Sequence, residues 1–137
     1  MESEGPDAVD VLRRWVDAVN ALDLDALLAV ADEDVICRPM SVGGGGATFT
    51  GHAGLRRWIA RLAAVESDLH VRCDRIDSLG PTRAAAFGVL CADERVVSPW
   101  ALVASVRDGK VSAAQSYFTD RDTLARLDGL EDGETVV

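Results

Sequence analysis

Residues 82–119 read TRAAAFGVLCADERVVSPWALVASVRDGKVSAAQSYFT. Three runs of strand-like composition, 82–92, 96–107 and 111–119, are separated by Asp93-Glu94 and Asp108-Gly109. Asp-Gly between two apolar runs signals a tight hairpin, because a two-residue turn matching strand twist needs positive φ, which Asp tolerates and Gly adopts freely. A fourth run, 69–79, precedes them across Gly80-Pro81. Successive strands joined by short turns predict a four-stranded antiparallel meander.

Upstream of the meander the period changes from two to helical. Asp7 is placed to cap a first helix, in which Leu12, Trp15, Val16 and Val19 recur at i, i+3, i+4 and i+7, the stripe of a helix packed on one face. Asp23 caps a shorter second helix through Leu24, Leu27, Leu28 and Ala31. Val35, Ile36 and Cys37 suit a brief strand that Arg38 and Pro39 end. Residues 43–46, four glycines, lack the neighbouring lysine of a phosphate loop and are expected to be a connector. From Thr50 a third helix carries Leu55, Trp58, Ile59 and Leu62 at helical spacing, with Arg56, Arg57 and Arg61 expected outside. After Asp120 a last short helix, 123–127, leads to an acidic tail, 131–137. The expected class is α+β: three helices on a curved, mainly antiparallel sheet, as one domain over 1–137 with a core of about 7–130.

The 137 residues carry a net charge of -9, which opposes binding by neutralisation of phosphates or anionic lipid head groups. Nucleic-acid and membrane partners are therefore not expected. The opening residues show neither a basic start nor an unbroken apolar run, so the expected location is the cytoplasm. Cys37, Cys73 and Cys91 lack paired spacing and are read as reduced, mostly buried thiols rather than disulfide or zinc ligands. Lys110 sits beside a hairpin turn, where burial cannot lower its pKa for Schiff-base chemistry. His52 and His70 share no ligand spacing; no metal is expected, and His70 has either a structural role or an acid/base role at a cavity rim.

The stretch RWVDAVNALDLDAL at 14–27, Phe49-Thr50-Gly51 before the third helix, and Asp108-Gly109-Lys110-Val111 followed by Tyr117-Phe118-Thr119-Asp120 resemble SnoaL-like proteins of the nuclear transport factor 2-like superfamily. The resemblance spans roughly residues 7–130. It implies a cone-shaped α+β half-barrel with a pocket between sheet and helices, commonly dimeric through the outer sheet face. That superfamily includes ketosteroid isomerases, polyketide cyclases and members that only bind or scaffold, so fold alone does not select an activity. The isomerase pattern has a first-helix tyrosine, an aspartate base ending the first strand and a protonated aspartate on a later strand. The corresponding places here are expected to hold Trp15, Arg38 or Pro39, and Val103. A valine cannot stabilise an enolate and an arginine is no base at neutral pH, which argues against isomerase activity. Similarity to the cyclases places Asp120 where they use an acidic residue; two readings stand, a helix cap and a catalytic acid or base.

Alternation, with the strands aligned by the resemblance, puts Ala84, Ala86, Gly88 and Leu90, then Ala101, Val103 and Ser105, then Ala114, Ser116 and Phe118 on the inner face. Ala85, Phe87, Trp100, Leu102 and Tyr117 then form an outer face apolar enough to want a partner subunit. Small inner residues imply either close helix packing or a cavity walled by Trp15, Trp58 and Phe118, with Val103, Ser105 and Ser116 contacting a ligand. Arg38 has several readings: an anchor for a bound anion, a salt bridge with Asp34 or Asp120, or a cation pointing to solvent. The expected function is cofactor-independent: a homodimer binding an apolar, polyketide-like or ketone-bearing small molecule. Proton transfer would involve Asp120 and Arg38; the alternative is a non-catalytic binding or scaffolding module.

Overall fold

A computed structural model describes residues 7–39, 48–66 and 68–119. The chain runs α1 (Ala8–Asn20), α2 (Leu24–Ala29), β1 (Ala31–Arg38), β2 (Phe49–Thr50), α3 (Gly51–Ala63), β3 (Leu69–Ser78), β4 (Arg83–Ala92), β5 (Arg95–Arg107) and β6 (Lys110–Tyr117). The carboxylates of Asp7 and Asp23 accept from the amides of Asp10 and Ala26, at 2.8 and 3.1 Å, and start the first two helices as expected. The second helix stops at Ala29, short of the expected Ala31, which instead opens β1; that strand is longer than 35–37 because Ala31, Val35 and Cys37 all find buried positions. The four-glycine connector, Asp120, the last helix and the acidic tail lie outside the described residues.

One six-stranded sheet has the order β2-β1-β6-β5-β4-β3. The meander β3 to β6 is antiparallel throughout, and only β1 with β6 pairs in parallel. Asp108 at φ 55° and Gly109 at φ 78° make the expected tight turn between β5 and β6. Arg107 pairs with Asp32, tying the end of β5 to the start of β1 and holding the Asp32 carboxyl below the usual carboxylate range.

Three bulges interrupt the meander, besides an irregularity between β1 and β6. Asp74 is the extra residue between β3 and β4, Val97 between β4 and β5, and Ser112 between β5 and β6. The first explains Gly88: a Cβ there would lie 1.9 Å from the carbonyl oxygen of Arg72, so the two backbones approach too closely for any side chain. Gly88 therefore reports on strand packing, not on the space available to a ligand.

The other two bulges overturn one expectation. Without them Ala86 would face Ala101 across the ladder; with Val97 inserted, Ala86 pairs with Leu102, and Leu102 with Ser116. A one-residue slip exchanges the faces of a strand. Trp100, Leu102, Ala104 and Val106 consequently join Val11, Leu12, Trp15, Leu27, Leu55 and Ile59 in the main core. Ala101 and Val103 lie on the opposite face with Ala85, Phe87, Leu79 and Tyr117. The faces assigned to β4 and β6 stand, whereas β5 is inverted relative to the expectation.

Candidate functional site

A cavity of about 500 Å³ lies between the sheet and the C-terminal halves of α1 and α3. The helical stripes divide along their length. Val11, Leu12, Leu55 and Ile59 are buried in the core, while Trp15, Val16 and Val19 of α1 and Trp58 and Leu62 of α3 line the cavity. The rings of Trp15 and Trp58 stack with centroids 6.3 Å apart and an interplanar angle of 29°. From the sheet come Cys37, Leu90, Trp100, Leu102, Ala114 and Ser116, and Phe118 follows just after β6. All three tryptophans of the chain thus face one space.

Polar groups in this wall are few. Asn20 ends α1 and uses its amide on β3: Nδ2 donates to the Val71 carbonyl and Oδ1 accepts from the Val71 amide, both at 2.9 Å. Because β3 is an edge strand, that pair satisfies backbone groups no neighbouring strand can reach. His70 Nδ1 lies 3.3 Å from the Asp68 carbonyl and 3.6 Å from the Asp68 carboxylate. Arg61, in the last turn of α3, holds its guanidinium 5.3 Å from the centroid of the Phe49 ring. Burial pushes the Cys37 thiol up to about 12, so it is a neutral wall group and not a thiolate nucleophile. Among the described residues no aspartate or glutamate lines the cavity.

Of the residues singled out in the sequence, Trp15, Trp58, Ser116 and Phe118 come together here. Val103 does not: it packs on the opposite face, and Ser105 follows it by alternation, because the bulges at Val97 and Ser112 invert β5. Arg38 is exposed and alternates with the buried, cavity-lining Cys37, which carries its side chain to the far face of β1. Arg61, expected outside, is the arginine that reaches the cavity. Its signal was present in the sequence, since 58, 61 and 62 share a helical face, but a charge on a helix flank reads first as solvent-facing. Nothing in the alternation pointed to Trp100 and Leu102 as wall residues. Asp120 lies outside the described residues.

His52 is part of the scaffold, its Nε2 lying 3.0 Å from the Ala31 carbonyl at the start of β1. Among the described residues no group of three His, Cys, Asp or Glu side chains is placed to hold a metal ion, and no helix is long and apolar enough to cross a membrane.

Helices laid over one face of a bent six-stranded sheet, with a cavity between, make a fold of the nuclear transport factor 2-like kind. Residues 12–114 match the family model of the SnoaL-like domain, and the chain belongs to that family. Among solved structures, RV0760c from Mycobacterium tuberculosis is similar with a TM-score of 0.68 at 21% identity, over 82% of this chain and 94% of that one. A further structure of RV0760c, in complex with estradiol-17beta-hemisuccinate, aligns with a TM-score of 0.64 at 20% identity, over 82% and 93% of the two chains. A hypothetical protein with a ketosteroid isomerase-like fold from Catenulispora acidiphila, in complex with trimethylamine, gives 0.68 at 19% identity over 80% and 85%. At these identities the likeness is one of fold. No curated protein matches the chain.

Proposed function

We propose that the protein binds a largely apolar, fused-ring small molecule in the cavity walled by its three tryptophans. The observation that carries this reading is a space of about 500 Å³, within the range of small-molecule sites, whose wall is aromatic and aliphatic with few polar groups. Transfer of an apolar skeleton from water into such a space is favourable by roughly 25 cal/mol per Å² buried. The stacked Trp15 and Trp58 present flat surface to a ring system. The Ser116 hydroxyl and the His70 imidazole supply hydrogen bonds that orient its polar end. The complex of RV0760c with estradiol-17beta-hemisuccinate supports this size class.

A second reading adds proton transfer. Phe118 stands in the wall and Asp120 follows it by two residues in sequence, so an acid or base at Asp120 would act on a carbonyl compound held there without a cofactor. The ketosteroid isomerase pattern is no part of this reading, since the residues expected at its places, Trp15, Arg38 or Pro39, and Val103, include no carboxylate. A homodimer through the outer sheet face also belongs to this proposal, resting on Leu79, Phe87, Val103 and Tyr117 now that Trp100 and Leu102 face inward.

Native mass spectrometry of gently purified protein tests these points together. The expected result is twice the 14.6 kDa chain mass carrying an organic molecule, with the same compound altering tryptophan emission saturably when added back. Protein that never retains an apolar compound, with tryptophan emission indifferent to a panel of fused-ring compounds, would refute binding. With the ligand known, Asp120→Asn should keep affinity and lose turnover by about 100-fold under the catalytic reading.

A further inference from the structure

The cavity wall contains one arginine and no carboxylate among the described residues. Among the described residues Arg61 is also without an ion pair or a side-chain hydrogen bond: the arginine pairs formed are Arg14 with Asp10, Arg75 with Asp77 and Arg107 with Asp32. Among the described residues its one specific contact is the ring of Phe49, itself 5% exposed and part of the wall. That contact holds the guanidinium at the cavity and leaves its N–H donors for another acceptor. The surrounding charge is unusual for this chain. While the whole carries -9, α3 holds Arg56, Arg57 and Arg61 and no acidic residue.

From this we infer that the cavity selects an amphipathic anion, an apolar ring system ending in a carboxylate or sulfonate, with the anionic end on Arg61; the inference rests on the ligand-binding reading above. A guanidinium meets such a group through a forked pair of hydrogen bonds, a geometry that a lysine does not reproduce. The apolar wall next to Arg61 strengthens the attraction relative to bulk water, whereas the exposure of Arg61 limits it. The negative charge of the rest of the chain disfavours anions elsewhere on its surface. The arginines of α3 therefore both draw the ligand and set its direction of entry, ring system first and anion at the rim.

The test uses two fluorescent probes with one skeleton, 1-pyrenebutyrate and the neutral 1-pyrenebutanol, titrated against the full chain. Pyrenebutyrate is expected to bind at least about fivefold more tightly, a margin that narrows as salt is raised. Arg61→Gln should abolish the margin while changing pyrenebutanol affinity by less than about twofold, Arg61→Lys should keep part of it, and Arg38→Gln on the far face should alter neither affinity. Equal binding of the two probes by the unmodified protein, or a loss in Arg61→Gln shared equally by both, overturns the inference and leaves the cavity reading standing. Failure of both probes to bind overturns the cavity reading, and the inference with it.

Discussion

Cys37 and Arg38 are adjacent on β1 and face opposite ways, and that single step of alternation decides what each can do. Cys37 is 2% exposed in the cavity wall, and its thiol is raised from an ordinary 9.0 to about 12 because burial penalises the thiolate. The folded chain therefore keeps a proton that the unfolded chain releases. The stabilisation is complete below about pH 9 and is lost as the pH rises towards 12. Urea unfolding at a series of alkaline pH values should show a shallower loss of stability in Cys37→Val than in the native chain; identical slopes would remove the thiol as the cause. Arg38 is written into the same short strand, and only its position relative to Cys37 removes it from the cavity. Arg61 is the reverse case, a flank arginine brought to the wall because it sits three residues after Trp58 on a helix whose other end is in the core.

Caps and turns are local, and most of those among the described residues were legible in the sequence, although Thr50, expected to cap α3, holds the cap position without a side-chain hydrogen bond. Asp7, Asp23 and Asp108-Gly109 act within a few residues of themselves, so no distant contact is needed to realise them. Bulges are different: Val97 and Ser112 are ordinary strand residues, and their insertion is settled by how three strands share one curvature and one core. The tie between Asn20 and Val71 is equally non-local, joining residues 51 apart in the chain. Asn20→Ala should lower stability by about 1–2 kcal/mol, since both groups of an edge-strand peptide lose their partners. It should also increase hydrogen exchange at the Val71 amide; unchanged exchange there would show that water replaces the side chain without loss.

For the molecule as a whole, the inversion of β5 has a direct consequence for binding. Leu102→Gln places an amide in the cavity wall and should weaken 1-pyrenebutanol by roughly tenfold, the cost of a polar group without a partner; Val103→Gln, on the other face, should stay within about twofold. The opposite ranking would restore the face expected from simple alternation. What the sequence by itself determined is the α+β class, the order of the helices and the meander, the family, and four of the wall residues, Trp15, Trp58, Ser116 and Phe118, because periodicity and turn chemistry operate over a few residues. The tertiary structure alone decided which face of β5 closes the cavity, that Arg61 and not Arg38 is its cation, and that Cys37 stands inside it. The physical reason is that a side chain's face depends on register summed along the sheet, so one inserted residue leaves composition and pattern intact while exchanging core for surface.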